Sequence, residues 1–251
     1  MLARTLPLLR HVLDFCYPGV CACCDAGAAG GAVLCAECDA HLHQQTHSHA
    51  CERCAMPVPY EGAPCPYCHG KGARWFGKIL RLGVLEDPLK HLIHQMKYHR
   101  RWPLGELLAD RLIGTERAKG LLTGTDVLVP VPLHLRRQLT RGYNQADVIA
   151  RRIGWRCGIP VLHAVRRTRN TDSQTNVHSQ ENRAANVRGA FELRRGAKAL
   201  RGRHVVVVDD VMTTAATLAS VARVLKKARP ASLCAIVLAI ADPRHRGFEA
   251  I

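Results

Sequence analysis

The chain has 251 residues, 47% of them hydrophobic and 22% charged, an ordinary globular composition that excludes a largely disordered or fibrous protein. Its formal net charge is +16, yet up to Arg74 only five basic side chains stand against six acidic ones. The whole basic excess lies beyond that point, where it predicts polyanionic ligands such as phosphorylated metabolites or nucleic acid.

The opening stretch, MLARTLPLLRHVLDFCYPG, is interrupted by Arg4, Pro7 and Arg10 and leads to no small-residue cleavage site, so a signal peptide is not expected. Leu6, Leu9, Val12 and Leu13 share one helical face and predict a short amphipathic helix docking on the body. No run approaches the ~20 apolar residues of a membrane-spanning helix, and stable membrane insertion is not expected. A cytoplasmic protein is the expectation, with a peripheral position at the inner face of the membrane as the alternative this helix allows.

Ten of the twelve cysteines follow between Cys16 and Cys68. Four C-x-x-C pairs, Cys21/Cys24, Cys35/Cys38, Cys51/Cys54 and Cys65/Cys68, form two sets with identical internal offsets, a repeat of 30 residues. Thiolates three residues apart turn back through a tight knuckle and occupy two corners of a tetrahedron, and a second knuckle completes four sulfurs around zinc. A closed four-cysteine site has no open position for water, so its role is structural. A disulfide framework, the competing reading, requires an oxidising compartment that nothing here indicates. The offsets favour sequential ligation, Cys21/Cys24/Cys35/Cys38 then Cys51/Cys54/Cys65/Cys68, with interleaved pairing as the alternative. Cys16 and Cys23 read as bystanders, the histidine-rich stretch 41–49 as a polar linker, and Cys157 and Cys234 as core. The domain boundary is placed at 74: an amino-terminal helix and double zinc ribbon over 1–74, then a larger unit over 75–251.

In that unit, Leu89, Leu92, Ile93 and Met96 line one face of a helix over 88–98 opened by Pro88, and a second helix is predicted over 103–118. The sequence DVLVPVPLH reads as a short buried strand, with a fixed unusual turn at 129–133 that a cis X-Pro bond would suit. Arg136, Arg137 and Arg141 lie between it and a helix beginning at Asn144. Strands are expected near 161–165, 204–209 and 232–240, with a helix over 214–228 between the last two. Strands alternating with helices predict an α/β fold with a mostly parallel sheet. The polar, basic stretch 166–189 is long for a compact domain and suits a lid, and Arg183 and Arg188 near its end could reach a polyphosphate.

The segment VVVVDDVMTTAATL (205–218) runs from four valines of a doubly covered strand to two carboxylates, then to hydroxyls and small side chains where a helix begins. Ligands of parallel-sheet proteins bind beyond the carboxyl ends of the strands, and a helix amino terminus suits phosphate.

This segment resembles the phosphoribosyl-diphosphate (PRPP) motif of type I phosphoribosyltransferases. Together with PVPLHLRRQLTRGYNQADVIAR (130–151), the 166–191 stretch, LIHQMKYHR (92–100) and the cysteine knuckles, the chain resembles ComF-type competence proteins from about Cys21 to Pro243. The resemblance implies a type I phosphoribosyltransferase fold behind a double zinc ribbon. It implies that Asp209 and Asp210 hold the ribose hydroxyls of PRPP, and that the Thr213–Thr217 loop, including Thr214, Ala215 and Ala216, holds its 5-phosphate. The turn at Val131–Pro132, with Arg136, Arg137 or Arg141 nearby, would face the diphosphate and its magnesium, and Thr171, Gln174 and Arg183 belong to a closing loop. The family usually has glycine where this chain has Ala215, which costs affinity if φ there is positive.

The implied function is uptake or processing of single-stranded DNA in natural transformation, with a competence helicase or another uptake protein as partner. A nucleobase-salvage phosphoribosyltransferase and a non-catalytic PRPP-sensing module that binds nucleic acid are the alternatives. The aromatic content, 5%, is thin for base-stacking platforms.

Overall fold

A computed structural model describes residues 19–71, 73, 75–169, 189–213 and 215–241, and only the backbone of 135–137. The predicted amino-terminal helix, Cys16, Thr171, Gln174, Arg183, Arg188 and Thr214 lie outside the described residues.

The two cysteine sets fold alike through their first halves. Cys21 N–H donates to Ala26 O (2.7 Å) and Cys51 N–H to Met56 O (2.8 Å), thirty residues apart. The residue after each second cysteine, Asp25 (φ 59°) and Ala55 (φ 62°), takes the same left-handed turn. Single bridges Val20↔Gly27 and Ala50↔Pro57 close the two knuckles. The repeat then diverges. Cys35 caps helix α1 (Ala36–Thr46), its sulfur accepting from Cys38 N–H. This helix takes in residues 41–46, two thirds of the stretch expected to be a polar linker. It buries Cys38, Leu42 and Thr46, one side chain per turn, which leaves its histidines outside and makes the sequence look like a loop.

The larger unit is built on four parallel strands in the order β1-β6-β5-β2: β1 (Ile79–Val84), β2 (Val127–Pro130), β5 (His204–Met212) and β6 (Ser232–Ile240). Val205–Val208 are all buried and alternate between faces. Val206 and Val208 join a core with α2 (Leu89–Tyr98), α3 (Pro103–Ile113), α4 (Glu116–Leu122) and α6 (Gln145–Cys157). Val205 and Val207 join the other core, with α7 (Ala216–Leu225) and a two-stranded antiparallel ribbon, β3 (Val165–Arg167) and β4 (Phe191–Leu193). The first cysteine set is not peripheral. Cys21, Leu34, Cys38 and Leu42 share the α2 core with Leu80, Leu82 and Leu89. The second set has a small core of its own, Cys54, Val58 and Cys65.

Several expectations are corrected. The helix over 103–118 is two helices: α3 ends at Gly114, and Thr115 restarts the chain by accepting from Ala118 N–H. The described cis bond is Asp87–Pro88, before α2, rather than one in 129–133. The strand expected at 161–165 gives only a bridge, Val161↔Leu128, before β3 begins at Val165. Cys157, at the last residue of α6, is exposed rather than core, and Cys234 in β6 is half-buried. The strand β1 and the short helix α5 (Leu135–Arg141) are additions to the sequence reading.

Candidate functional site

Strand β5 outruns its neighbour. β2 pairs with it from Val127↔Val205 to Pro130↔Val208 and then turns away after one more bond, Val131 N–H to Val208 O at 2.8 Å. The next residues of β5 keep only β6 as a partner. Asp209 and Asp210 are the first two residues of this overhang, and the alternation that separates the valines places the two carboxylates on opposite faces of the sheet. Asp210 faces the α2 layer, where its Oδ2 lies 3.2 Å from Lys97 Nζ, both side chains largely buried. Asp209 lies toward the β3 side, where Arg167 favours its charge. Burial and the neighbouring Asp210 charge outweigh that help and push the Asp209 carboxyl up to about 8. The Asp210 N–H donates to Asp209 Oδ1 at 2.9 Å. The two adjacent acids therefore differ in surroundings: Asp210 is paired with Lys97, while the Asp209 carboxyl is shifted toward its protonated form.

Beyond the acids, Thr213 is half-buried and Ala215 is the residue before α7. Ala215 has φ 55° and ψ 4°, left-handed, where glycine is free and alanine is strained. Ala215 offers no side-chain cap, and the first N–H groups of α7, at Ala216 and Thr217, have no partner in the helix's own ladder, which makes this turn a place for an anion.

The stretch Arg141–Gln145 forms a joint between this site and α2. Gly142 turns at φ 82°. The Tyr143 hydroxyl donates to Met96 O at the end of α2. Asn144 caps α6, accepting from Ala146 N–H, while its Nδ2 donates to Val131 O at 2.9 Å and so fixes the turn after β2. Gln145 is buried, and its Oε1 accepts from Arg141 Nη1 at 3.3 Å. The Arg141 guanidinium lies 5.2 Å from the centre of the Tyr98 ring. Val131 is thus bonded to Val208, the residue before Asp209, and Arg141 stands against Tyr98. Arg136 and Arg137 are in α5, with side chains outside the described residues. Lys97 is a site residue that sequence reasoning missed; it follows the apolar face of α2 by one position, and only the folded pairing marks it.

The sulfur sites are fully described. Cys21/Cys24/Cys35/Cys38 and Cys51/Cys54/Cys65/Cys68 form two separate clusters, each with its ligand atoms within 4.8 Å of one another, so ligation is sequential. Sulfur separations are 3.6 Å for Cys24–Cys35, 3.7 Å for Cys51–Cys68 and 3.6 Å for Cys54–Cys65. Zinc–sulfur bonds of ~2.3 Å at tetrahedral angles give sulfur edges of roughly 3.8 Å, so the donors fit zinc. Burial pushes the Cys38 and Cys54 thiols up, so full ionisation of each set needs the cation.

A parallel sheet with an acid pair on its overhang, a phosphate-type turn into the next helix and two cysteine knuckles ahead of it define a phosphoribosyl transferase domain joined to a double zinc ribbon. Comparison with known proteins agrees. Residues 109–250 match the phosphoribosyl transferase domain family and residues 12–69 the double zinc ribbon domain. The DNA utilization protein YhgH of Escherichia coli is 34% identical over 214 residues, 83% of this chain and 91% of that protein. Competence protein F of Haemophilus influenzae is 30% identical over 198 residues, 77% of this chain and 84% of that protein. A partial structural likeness (TM-score 0.35, 24% identity) links 55% of this chain to 25% of the glutamine PRPP amidotransferase from B. subtilis. The chain belongs to the ComF-type family of phosphoribosyl transferase domain proteins with an amino-terminal double zinc ribbon.

Proposed function

We propose that this chain is a competence-type protein that binds PRPP in its phosphoribosyl transferase domain. It handles single-stranded DNA in uptake or processing during natural transformation, on the cytoplasmic side of the membrane. Among the described residues no helix is long and apolar enough to cross one. The observation that carries the PRPP reading is the acid pair at the β5 overhang, followed by the open first turn of α7. Asp209 and Asp210 accept hydrogen bonds from the ribose hydroxyls, while Thr213, Thr214, Thr217 and the α7 amides take the 5-phosphate. The Val131–Pro132 turn would receive the diphosphate with its magnesium, and the family resemblance adds Arg136, Arg137, Arg141, Thr171, Gln174 and Arg183 to its contacts. With an acceptor bound, its nucleophilic atom bonds to the anomeric carbon as the carbon–oxygen bond to diphosphate breaks. The diphosphate leaves with the electron pair, and magnesium and the arginines stabilise its charge.

The names of the relatives carry the DNA part of the reading. A second reading, a PRPP sensor without turnover, is favoured by two observations: Ala215 holds a strained left-handed conformation, and Lys97 already occupies Asp210.

The test is thermal unfolding with PRPP and magnesium, in the wild type and in Asp209→Asn, which leaves the Lys97–Asp210 pair in place. Ligand at ~100 times Kd adds roughly 2.7 kcal/mol, a rise of about 5–10 °C for a chain of this size. A rise in the wild type that Asp209→Asn abolishes supports PRPP binding at the acid pair. No rise in the wild type refutes it.

A further inference from the structure

The exposed junction between α2 and α3 reads Tyr98-His99-Arg100-Arg101-Trp102. Tyr98 and Trp102 are each 49% exposed, and the three residues between them are exposed as well. The chain turns there through Arg100 at φ 56°, a left-handed position held by a long cationic side chain. The Arg100 guanidinium reaches the far side of the same junction, its Nε 4.0 Å from where a side chain on Gly142 would begin. Arg141 lies over the Tyr98 ring, and the His94 ring is 4.7 Å from Tyr98 and 5.7 Å from His99. Among the described residues no carboxylate pairs with Arg100, Arg101 or Arg141. Burial holds His94 below the ordinary histidine range, and the nearby charges of Lys97 and Lys90 act in the same direction.

Another exposed aromatic, Trp155 on α6, makes the contrast. Its neighbours Arg152 and Arg156, at 4.9 and 5.9 Å from the ring, are both paired with Asp110, and Arg151 is paired with Asp147. There the cations are already neutralised; at the α2–α3 junction they are not.

We infer that the α2–α3 junction is the surface on which this protein docks single-stranded DNA. Tyr98 and Trp102 are platforms for unpaired bases, and Arg100, Arg101 and Arg141 are contacts for the phosphates between them. The inference rests on the DNA-handling reading above and assigns the surface that carries it. Flat rings at about half exposure offer faces to unpaired bases, whereas a duplex keeps its base faces stacked inside. Arginines without carboxylate partners exchange only solvent and counterions for phosphate. Few aromatics are needed, because the fold gathers two of them with three arginines at one bend. The surface also adjoins the acid pair: Lys97 turns to Asp210 while Tyr98, the next residue, turns outward. A strand lying on the junction passes beside the β5 overhang.

The experiment is fluorescence anisotropy with a labelled oligothymidylate of about twenty nucleotides and a duplex of equal length. It compares full-length zinc-loaded wild type, Tyr98→Ala/Trp102→Ala, Tyr98→Phe/Trp102→Phe, Arg100→Ser/Arg101→Ser and, as control, Trp155→Ala. Melting profiles establish that each variant is folded, and all the substituted side chains are surface-exposed. The expected result is preference for the single strand and a loss of about tenfold or more in Kd for the double alanine variant, ~1.4 kcal/mol or above. The phenylalanine variant and Trp155→Ala retain wild-type affinity. In Arg100→Ser/Arg101→Ser the slope of log K against log salt falls by about 1.4, from ~0.7 per phosphate on a single strand. If the wild type binds the oligonucleotide and the double alanine variant binds it equally well, the surface assignment is overturned while DNA handling stands, and the exposed rings serve a protein partner. An equal loss in Trp155→Ala also overturns the assignment. If the wild type binds neither probe, the DNA-handling reading itself fails.

Discussion

Replacing Asp209 by asparagine should stabilise the fold, by an amount that grows with pH. In the folded chain burial and the Asp210 charge push the Asp209 carboxyl up to about 8, whereas an unfolded aspartate titrates near ~3.9. Between those values the unfolded chain has released a proton that the folded chain still holds. The folded state therefore binds more protons, and stability falls as pH rises. The slope approaches 1.4 kcal/mol per pH unit from about pH 4 to 8 and levels off above. Asparagine does not titrate, keeps an Oδ1 to accept from Asp210 N–H, and leaves the Lys97–Asp210 pair untouched. From pH 5.5 to 7.5 the advantage of Asp209→Asn over wild type should widen by roughly 2–3 kcal/mol, or roughly 5–10 °C in Tm. The cysteine sites also respond to pH, but equally in both proteins, so they cancel in the difference. Melting curves of the two proteins at three pH values provide the measurement. A difference that stays constant across this window would refute the account of Asp209 as a desolvated carboxyl crowded by its neighbour.

Two further outcomes follow from local geometry. Ala215→Gly relieves a left-handed alanine worth ~1–2 kcal/mol at an entropic cost of ~0.5–1 kcal/mol, so a net gain of about 0.5–1 kcal/mol is expected in denaturant titration; a loss of stability would mean that the methyl group packs usefully. Metal analysis should return two zinc ions per chain, and Cys51→Ser should return one, because the two sulfur clusters share no ligand. Loss of both ions in that variant would show that the sites fold together.

The acid pair, its valine strand and the cysteine repeat were legible because each is a local pattern: a doubly covered strand needs consecutive apolar residues, and a sulfur knuckle needs a fixed spacing. Strand β1 was not legible because Arg81 and Gly83 interrupt its apolar run, and both exist for partners distant in sequence. Arg81 is buried and donates to Ser48 Oγ and His49 O, behind α1. At Gly83 a Cβ would come within 2.9 Å of Leu89 Cδ2 and 3.4 Å of Gln45 Cβ, so only glycine lets α1 and α2 close on the strand. Arg141 illustrates the same limit at the site. Its place between the β2 turn and α6 was readable, but the choice of the Tyr98 ring and Gln145 as its partners is made by the tertiary fold.

The same contacts explain why the first zinc ribbon belongs to the sheet and is more than an appendage. Its helix α1 is fastened at both ends: Arg111 pairs with Asp39 near its start, and Arg117 donates to Thr46 O at its close. Gln45 Nε2 donates to Glu86 O and Asp87 O, the two residues leading from β1 into α2. Cys38 and Leu42 lie in the core that also holds Leu89, Leu92 and Met96. Zinc held by Cys21, Cys24, Cys35 and Cys38 would fix the amino terminus of α1; α1 closes over β1 and the start of α2, and α2 presents Lys97 to Asp210 and Tyr98 to solvent. The second cluster is placed differently: besides its own core of Cys54, Val58 and Cys65, Ala55 beside it joins the core on the face of the sheet away from α2. Of the two cysteine sites, the first is therefore the one whose metal would support both the acid pair and the aromatic junction.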